Sequence, residues 1–108
     1  MELEKLRIFL AVAECRSFSL GAKRLDISHS STSRAVAALE EELGVKLLRR
    51  DNHILGLTAA GERLCEEARL LLEQAERAAA RVKAAGEREK EASSRPDRAD
   101  PGSDPTPV

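Results

Sequence analysis

Positions 28 to 34 read SHSSTSR: five hydroxyl side chains, Ser28, Ser30, Ser31, Thr32 and Ser33, with His29 near the front and Arg34 behind them. Hydroxyls in that number invite a nucleophilic reading. No base is paired with them within sequence reach, His29 and His53 have no partners at metal-ligand spacing, and no Gly-rich phosphate loop occurs. Enzymatic, metal and cofactor chemistry therefore find no support. What the stretch does supply is hydrogen-bond donors and short side chains. Hydroxyls donate to phosphate oxygens, and an arginine pairs with guanine O6 and N7. Helix capping would need one of these hydroxyls, not five.

Donors of this kind need a rigid element to aim them. Ser28 is a helix N-cap, and the stretch continues as a helix with Val36, Leu39 and Leu43 on its inner stripe until Gly44 stops it. The outward face of its first turns then carries Ser30, Ser33, Arg34, Ala37 and Ala38, led by His29 and by the positive end of the helix dipole. Glu40, Glu41 and Glu42 are expected further back, where phosphate would repel them less. Upstream, Leu3, Leu6, Phe9, Leu10 and Ala13 mark a first helix ending near Arg16. Ser17 or Ser19 caps a short second helix with Leu20, Ala22 and Leu25, and Gly21 and Ala22 permit close helix approach. Asp26-Ile27 makes the turn. Two short helices joined so tightly form a helix-turn-helix, spanning Phe18 to Ala37.

Downstream, Val45, Leu47, Leu48, Ile54, Leu55 and Leu57 flank the polar turn Arg49-Arg50-Asp51-Asn52-His53, the pattern of a two-stranded hairpin. A hairpin directly behind such a helix is a wing. Its Arg49, Arg50 and His53 are expected to reach a sugar-phosphate backbone or an adjacent minor groove. From Thr58, an expected N-cap, a helical pattern runs to about Glu91, with Leu64, Ala68, Leu71, Ala75, Ala78, Val82 and Ala85 at alternating spacings of 4 and 3. A helix that long spans roughly 50 Å at 1.5 Å per residue, more than the head can cover, so the stripe is expected to meet a partner helix. After Ala92 the chain is rich in Pro, Ser, Asp and Gly and is expected to be disordered. The expected organisation is a DNA-binding domain over 1–58, a linker and dimerisation helix over 59–91 and a tail over 92–108. The fold class is mainly α: three helices and a two-stranded wing, followed by the long helix.

Composition narrows the function further. With 42% hydrophobic and 34% charged residues, the 108-residue chain has the make-up of a soluble domain, and no apolar run approaches the roughly 18 residues of a membrane span. Its N-terminus does not read as a signal peptide, so a cytoplasmic location without membrane partners is expected. Cys15 and Cys65 are too far apart in sequence for a CxxC pair and read as small packing residues. Without Trp or Tyr, there is no aromatic platform for single-stranded bases. Residues 1–60 hold nine Lys and Arg against eight Asp and Glu, a net of +1, where strong DNA binders usually show a basic footprint. The basic residues nevertheless gather in or beside the helix-turn-helix and wing.

Residues 1 to about 65 resemble the N-terminal winged helix-turn-helix of LysR-type bacterial transcriptional regulators. The resemblance rests on Phe9, Val12 and Glu14; Ser17-Phe18-Ser19; Ala22, Leu25, Ser28 and Ser33; Leu39-Glu40; Leu43-Gly44; Leu47; Arg50; and Leu57-Thr58-x-x-Gly61. Departures are His29 where the family usually has Gln, Ser30 and Ser31 where Pro or Ala is frequent, Leu48 for Phe, and His53 for Arg. The resemblance implies double-stranded DNA read by the third helix and the wing, and linker helices paired antiparallel across a twofold axis. It implies no small-molecule site here, because the family's effector domain would follow the linker helix. The leading expectation is a dimeric, sequence-specific DNA-binding module. The alternative is an interaction module that heterodimerises with full-length relatives through the linker helix.

Overall fold

The computed structural model describes residues 1–51 and 53–93; Asn52 of the expected turn and residues 94–108 of the expected tail lie outside them. The elements follow in the order α1 (Leu3–Cys15), α2 (Phe18–Leu25), α3 (His29–Leu43), β1 (Leu48–Arg50), β2 (Ile54–Leu57) and α4 (Ala59–Ser93). The chain divides into two compact units, Met1–Gln74 and Ala75–Val108.

In the first unit, α1 buries Leu6, Ile8, Phe9, Leu10, Ala11 and Val12. Leu3, expected on that stripe, stays exposed. The helix stops at Arg16, whose left-handed backbone returns its N–H to the Val12 carbonyl. Ser17 then caps α2 by accepting a hydrogen bond from the Leu20 amide at 3.1 Å. Gly21 explains how closely these helices meet: a Cβ there would lie 2.9 Å from Val12 Cγ2 and 3.0 Å from Val12 Cα. Asp26, also left-handed, turns the chain into α3.

α3 buries Thr32, Ala35, Val36, Leu39 and Glu40. The expected inner stripe holds at Val36 and Leu39 but not at Leu43, which is 41% exposed. The last turn of α3 runs past the core, whose members on this helix are Val36 and Leu39. Gly44 ends the helix at φ 72°, and its amide bonds to the Glu40 carbonyl at 2.8 Å.

The wing is an antiparallel pair in the register Leu48↔Leu57, Arg49↔Gly56 and Arg50↔Ile54, with a bulge between Arg49 and Arg50. Its base is fastened to the start of α4. The Thr58 hydroxyl donates to the Lys46 carbonyl at 2.6 Å and accepts from the Gly61 amide at 2.9 Å, while the Thr58 amide bonds to the Leu47 carbonyl. A Cβ at Gly61 would collide with that same Leu47 carbonyl oxygen. Glycine is required here by contact, not by backbone angle.

Leu64, Cys65 and Ala68 join Leu6, Phe9, Leu10, Val12, Val36, Leu39, Leu47 and Leu48 in one core cluster. This changes the stripe expected on the long helix. Leu64 and Ala68 are only 7% and 0% exposed, covered by the chain's own core, so they are not free to form a partner seam. Leu71 remains exposed within the first unit; in the second, Ala78 and Val82 are exposed and Ala75 is half-buried. No helix among the described residues is long and apolar enough to cross a membrane.

Candidate nucleic-acid interface

The front of α3 is built by its own cap. The Ser28 hydroxyl accepts from the Ser31 amide at 3.0 Å and donates to the Ser31 hydroxyl at 2.8 Å, with Ser30 Oγ 3.3 Å away. One turn on, the Thr32 hydroxyl donates to the Ser28 carbonyl at 2.9 Å. The eight residues expected at this face therefore separate by depth. Ser28, His29, Ser30, Arg34 and Ala37 are exposed, Ser31 and Ser33 are half-buried, and Thr32 is fully buried. Thr32, expected as a DNA contact, instead ties the first turn of α3 to its cap. A helix repeats every 3.6 residues, so a run of neighbouring hydroxyls must place at least one on the inner face.

Arg34 lies on the exposed side between Ser30 and Ala37, and nothing among the described residues engages its guanidinium. Short neighbours leave it free to extend. Ahead of it, the first-turn amides of α3 carry the partial positive charge of a helix start.

The wing residues also divide. Arg49 and His53 are exposed, and the His53 amide bonds to Asp51 Oδ1 at 2.9 Å, which shapes the turn. Arg50, expected beside them as a contact, is also exposed, but its guanidinium is engaged by the fold. Its Nη2 lies 3.7 Å from Glu40 Oε1, and its guanidinium carbon stands 5.1 Å from the centre of the Phe18 ring. Phe18 in turn lies 5.9 Å from the His29 ring. His29 and His53 thus border one cleft, lined also by Arg16, Ser17, Phe18, Ser19 and Ile54. The sequence places Arg16 among the basic residues in or beside the helix-turn-helix and wing but does not group Ser17 and Ser19 with this face, because only the fold brings the α1–α2 junction beside the wing.

Glu40 is the other residue whose role differs. Expected among three solvated acids, it is buried at 7% exposure, and its Oε2 accepts the Leu47 amide at 2.9 Å. Its position four residues after Val36, on the inner stripe, was the available signal. The remaining acids near α3 stay outside: Glu41 and Glu42 are exposed, and Glu42 pairs with the N-terminal ammonium. Glu14 joins α1 to its neighbours through Arg24 at 2.7 Å and Arg69 at 3.5 Å. No cluster of ligating residues among the described residues could hold a metal ion.

Burial pushes the Cys65 thiol above its ordinary range; Arg69 opposes that rise, while Glu14 and Glu62 add to it.

This arrangement has close relatives. Residues 3–62 match the family described as bacterial regulatory helix-turn-helix protein, lysR family. The chain is 45% identical over 85 residues to the HTH-type transcriptional regulator TcbR of Pseudomonas sp. (strain P51), covering 79% of this chain and 29% of that protein. It is 45% identical over 83 residues to the Hca operon transcriptional activator HcaR of Escherichia coli (strain K12), covering 77% and 28%. The chain therefore spans less than a third of the length of these relatives. Among solved structures it resembles the CbnR DNA-binding domain in its DNA complex, with TM-score 0.76, 44% identity, and 80% of this chain and 99% of that one covered. It likewise resembles the BenM DNA-binding domain bound to catB site 1 DNA, with TM-score 0.72, 37% identity and coverage of 77% and 92%. With the family match extending over more than half its residues, the chain belongs to the lysR family of bacterial regulatory helix-turn-helix proteins.

Proposed function

We propose that this chain binds double-stranded DNA sequence-specifically as the reading head of a LysR-type transcriptional regulator. α3 enters the major groove, and the wing lies against the backbone or adjacent minor groove. The observation that carries this reading is the unengaged Arg34 on a face of short side chains, directly behind the exposed start of α3. Ser28, His29, Ser30, Ser31 and Ser33 supply donors to phosphates and base edges, Ala37 permits close approach, and Arg49 and His53 serve the wing. The CbnR and BenM DNA-binding domains that this chain resembles are complexes with DNA, which supports DNA binding for a related fold.

The test is selection of bound duplexes from a random pool, followed by Arg34→Ala. A base-reading Arg34 costs about 1–3 kcal/mol at the selected site and less on unselected DNA. Equal losses on both would reduce Arg34 to a phosphate contact. No selected motif at all would end the sequence-specific reading.

The module works as a dimer joined through α4, using Leu71, Ala75, Ala78 and Val82. The support is that Leu71, Ala78 and Val82 remain exposed on α4 where Leu64 and Ala68 are covered. Two heads with half-sites about one DNA turn apart, or a multiple of it, would offset the low net charge of each.

A further inference from the structure

We propose that Arg50 is a positioning residue that fixes the wing and the leading edge of α3, rather than a ligand of DNA; this deepens the DNA-binding reading and rests on it. Arg50 is the last residue of β1, and its side chain touches two other elements. Toward α3 it pairs with Glu40, and toward α2 it lies over Phe18, the first residue of that helix. Phe18 carries the contact on to His29, the first residue of α3.

The partner is as telling as the arginine. Glu40 gathers the whole turn between α3 and the wing. Its carbonyl accepts the Gly44 amide at 2.8 Å and the Val45 amide at 3.2 Å, and one carboxylate oxygen accepts the Leu47 amide at 2.9 Å. The other oxygen faces Arg50. A buried carboxylate without a cation would be costly, so Glu40 holds the guanidinium of the exposed Arg50 against it. Arg49 on the same strand has no such partner and stays free for phosphate.

Glu40→Gln gives opposite signs for the two roles. If Arg50 is a DNA ligand, the substitution releases it and removes a negative charge, so binding strengthens or holds. If Arg50 positions, the same substitution loosens the wing and weakens binding.

The experiment measures affinity of the full chain for one duplex of fixed mixed sequence across about 50–200 mM salt. It compares wild type, Arg50→Gln, Glu40→Gln and the double variant, and follows exchange of the Asp51 amide, which bonds to the His53 carbonyl at 3.1 Å, in the free proteins. The expected result is a roughly tenfold loss in each single variant, no further loss in the double, an unchanged salt slope and faster Asp51 exchange. A salt slope reduced by about one in Arg50→Gln, with Glu40→Gln binding as well as wild type or better, overturns the proposal. Circular dichroism checks folding. If a substituted protein unfolds, Phe18→Leu replaces it, since it removes the ring beneath Arg50 and keeps the charge; weaker binding with faster Asp51 exchange then supports the proposal, and affinity and exchange equal to wild type overturn it. Should wild type bind no duplex, the DNA-binding reading fails by itself, and exchange at Asp51 still decides whether Arg50 and Glu40 hold the wing. Any other pattern overturns the assignment.

Discussion

Ser28 and Thr32 stand one helical turn apart and together start α3: one hydroxyl accepts the Ser31 amide, and the other donates back to the Ser28 carbonyl. Thr32 is fully buried, so its hydroxyl has no access to a groove. Thr32→Val keeps the shape and removes the bond, and should lower stability by about 0.5–1.5 kcal/mol in a thermal melt while leaving DNA affinity of the folded protein unchanged. Reduced affinity with an unaltered melt would return Thr32 to the interface. Cys65 offers a second test at this scale. Its thiol is raised by burial, so the folded chain holds the proton more tightly than the unfolded chain. The stability this contributes is complete below the unfolded thiol value, about 8.5, and is lost as pH rises above it. Cys65 should alkylate far more slowly at pH 8 than half-buried Cys15, and equal rates in native protein would refute this.

At the scale of elements, the joint between wing and α4 allows least change. Gly61→Ala sets a methyl against the Leu47 carbonyl, which Thr58 also binds, so wing or helix must shift. The cost should reach or exceed the upper end of roughly 1–3 kcal/mol in denaturant unfolding, and a loss below that range would show that the joint is pliable. Helix starts and stops were legible in the sequence because caps are local: Ser17, Ser28, Gly44 and Thr58 each act within three or four residues of their own position. The wing was legible for the same reason. Less legible were the residues whose role depends on a distant neighbour. Glu40 and Arg50 read as one solvated acid and one free base until the fold sets them together, and Leu64 and Ala68 read as a partner seam until the shared core buries them. On the proposed interface, the exposure of Arg34 needed only its helix and was legible; the cleft joining Arg16, Ser17 and Ser19 to His53 needed the tertiary fold.

For the molecule as a whole, the proposed partner association would use the exposed part of the α4 stripe. Leu71→Glu with Val82→Glu puts charge on two exposed positions and should leave the head folded, yield a monomer by sedimentation and abolish cooperative binding to two half-sites. A dimer with unaltered cooperativity would place the partner surface elsewhere. The burial of Leu64, Cys65 and Ala68 beside Leu6, Phe9 and Leu10 also bears on how the protein is made. A ribosome delivers α1, α2, α3 and the wing first, yet the part of the core that Leu64, Cys65 and Ala68 complete stays open until the opening turns of α4 arrive. Until then the nascent head lacks part of its core, which is completed only once the first turns of the linker helix are in place. Evolutionary exchange of heads between regulators would then cut cleanly after about the third turn of α4, and not at the end of the wing.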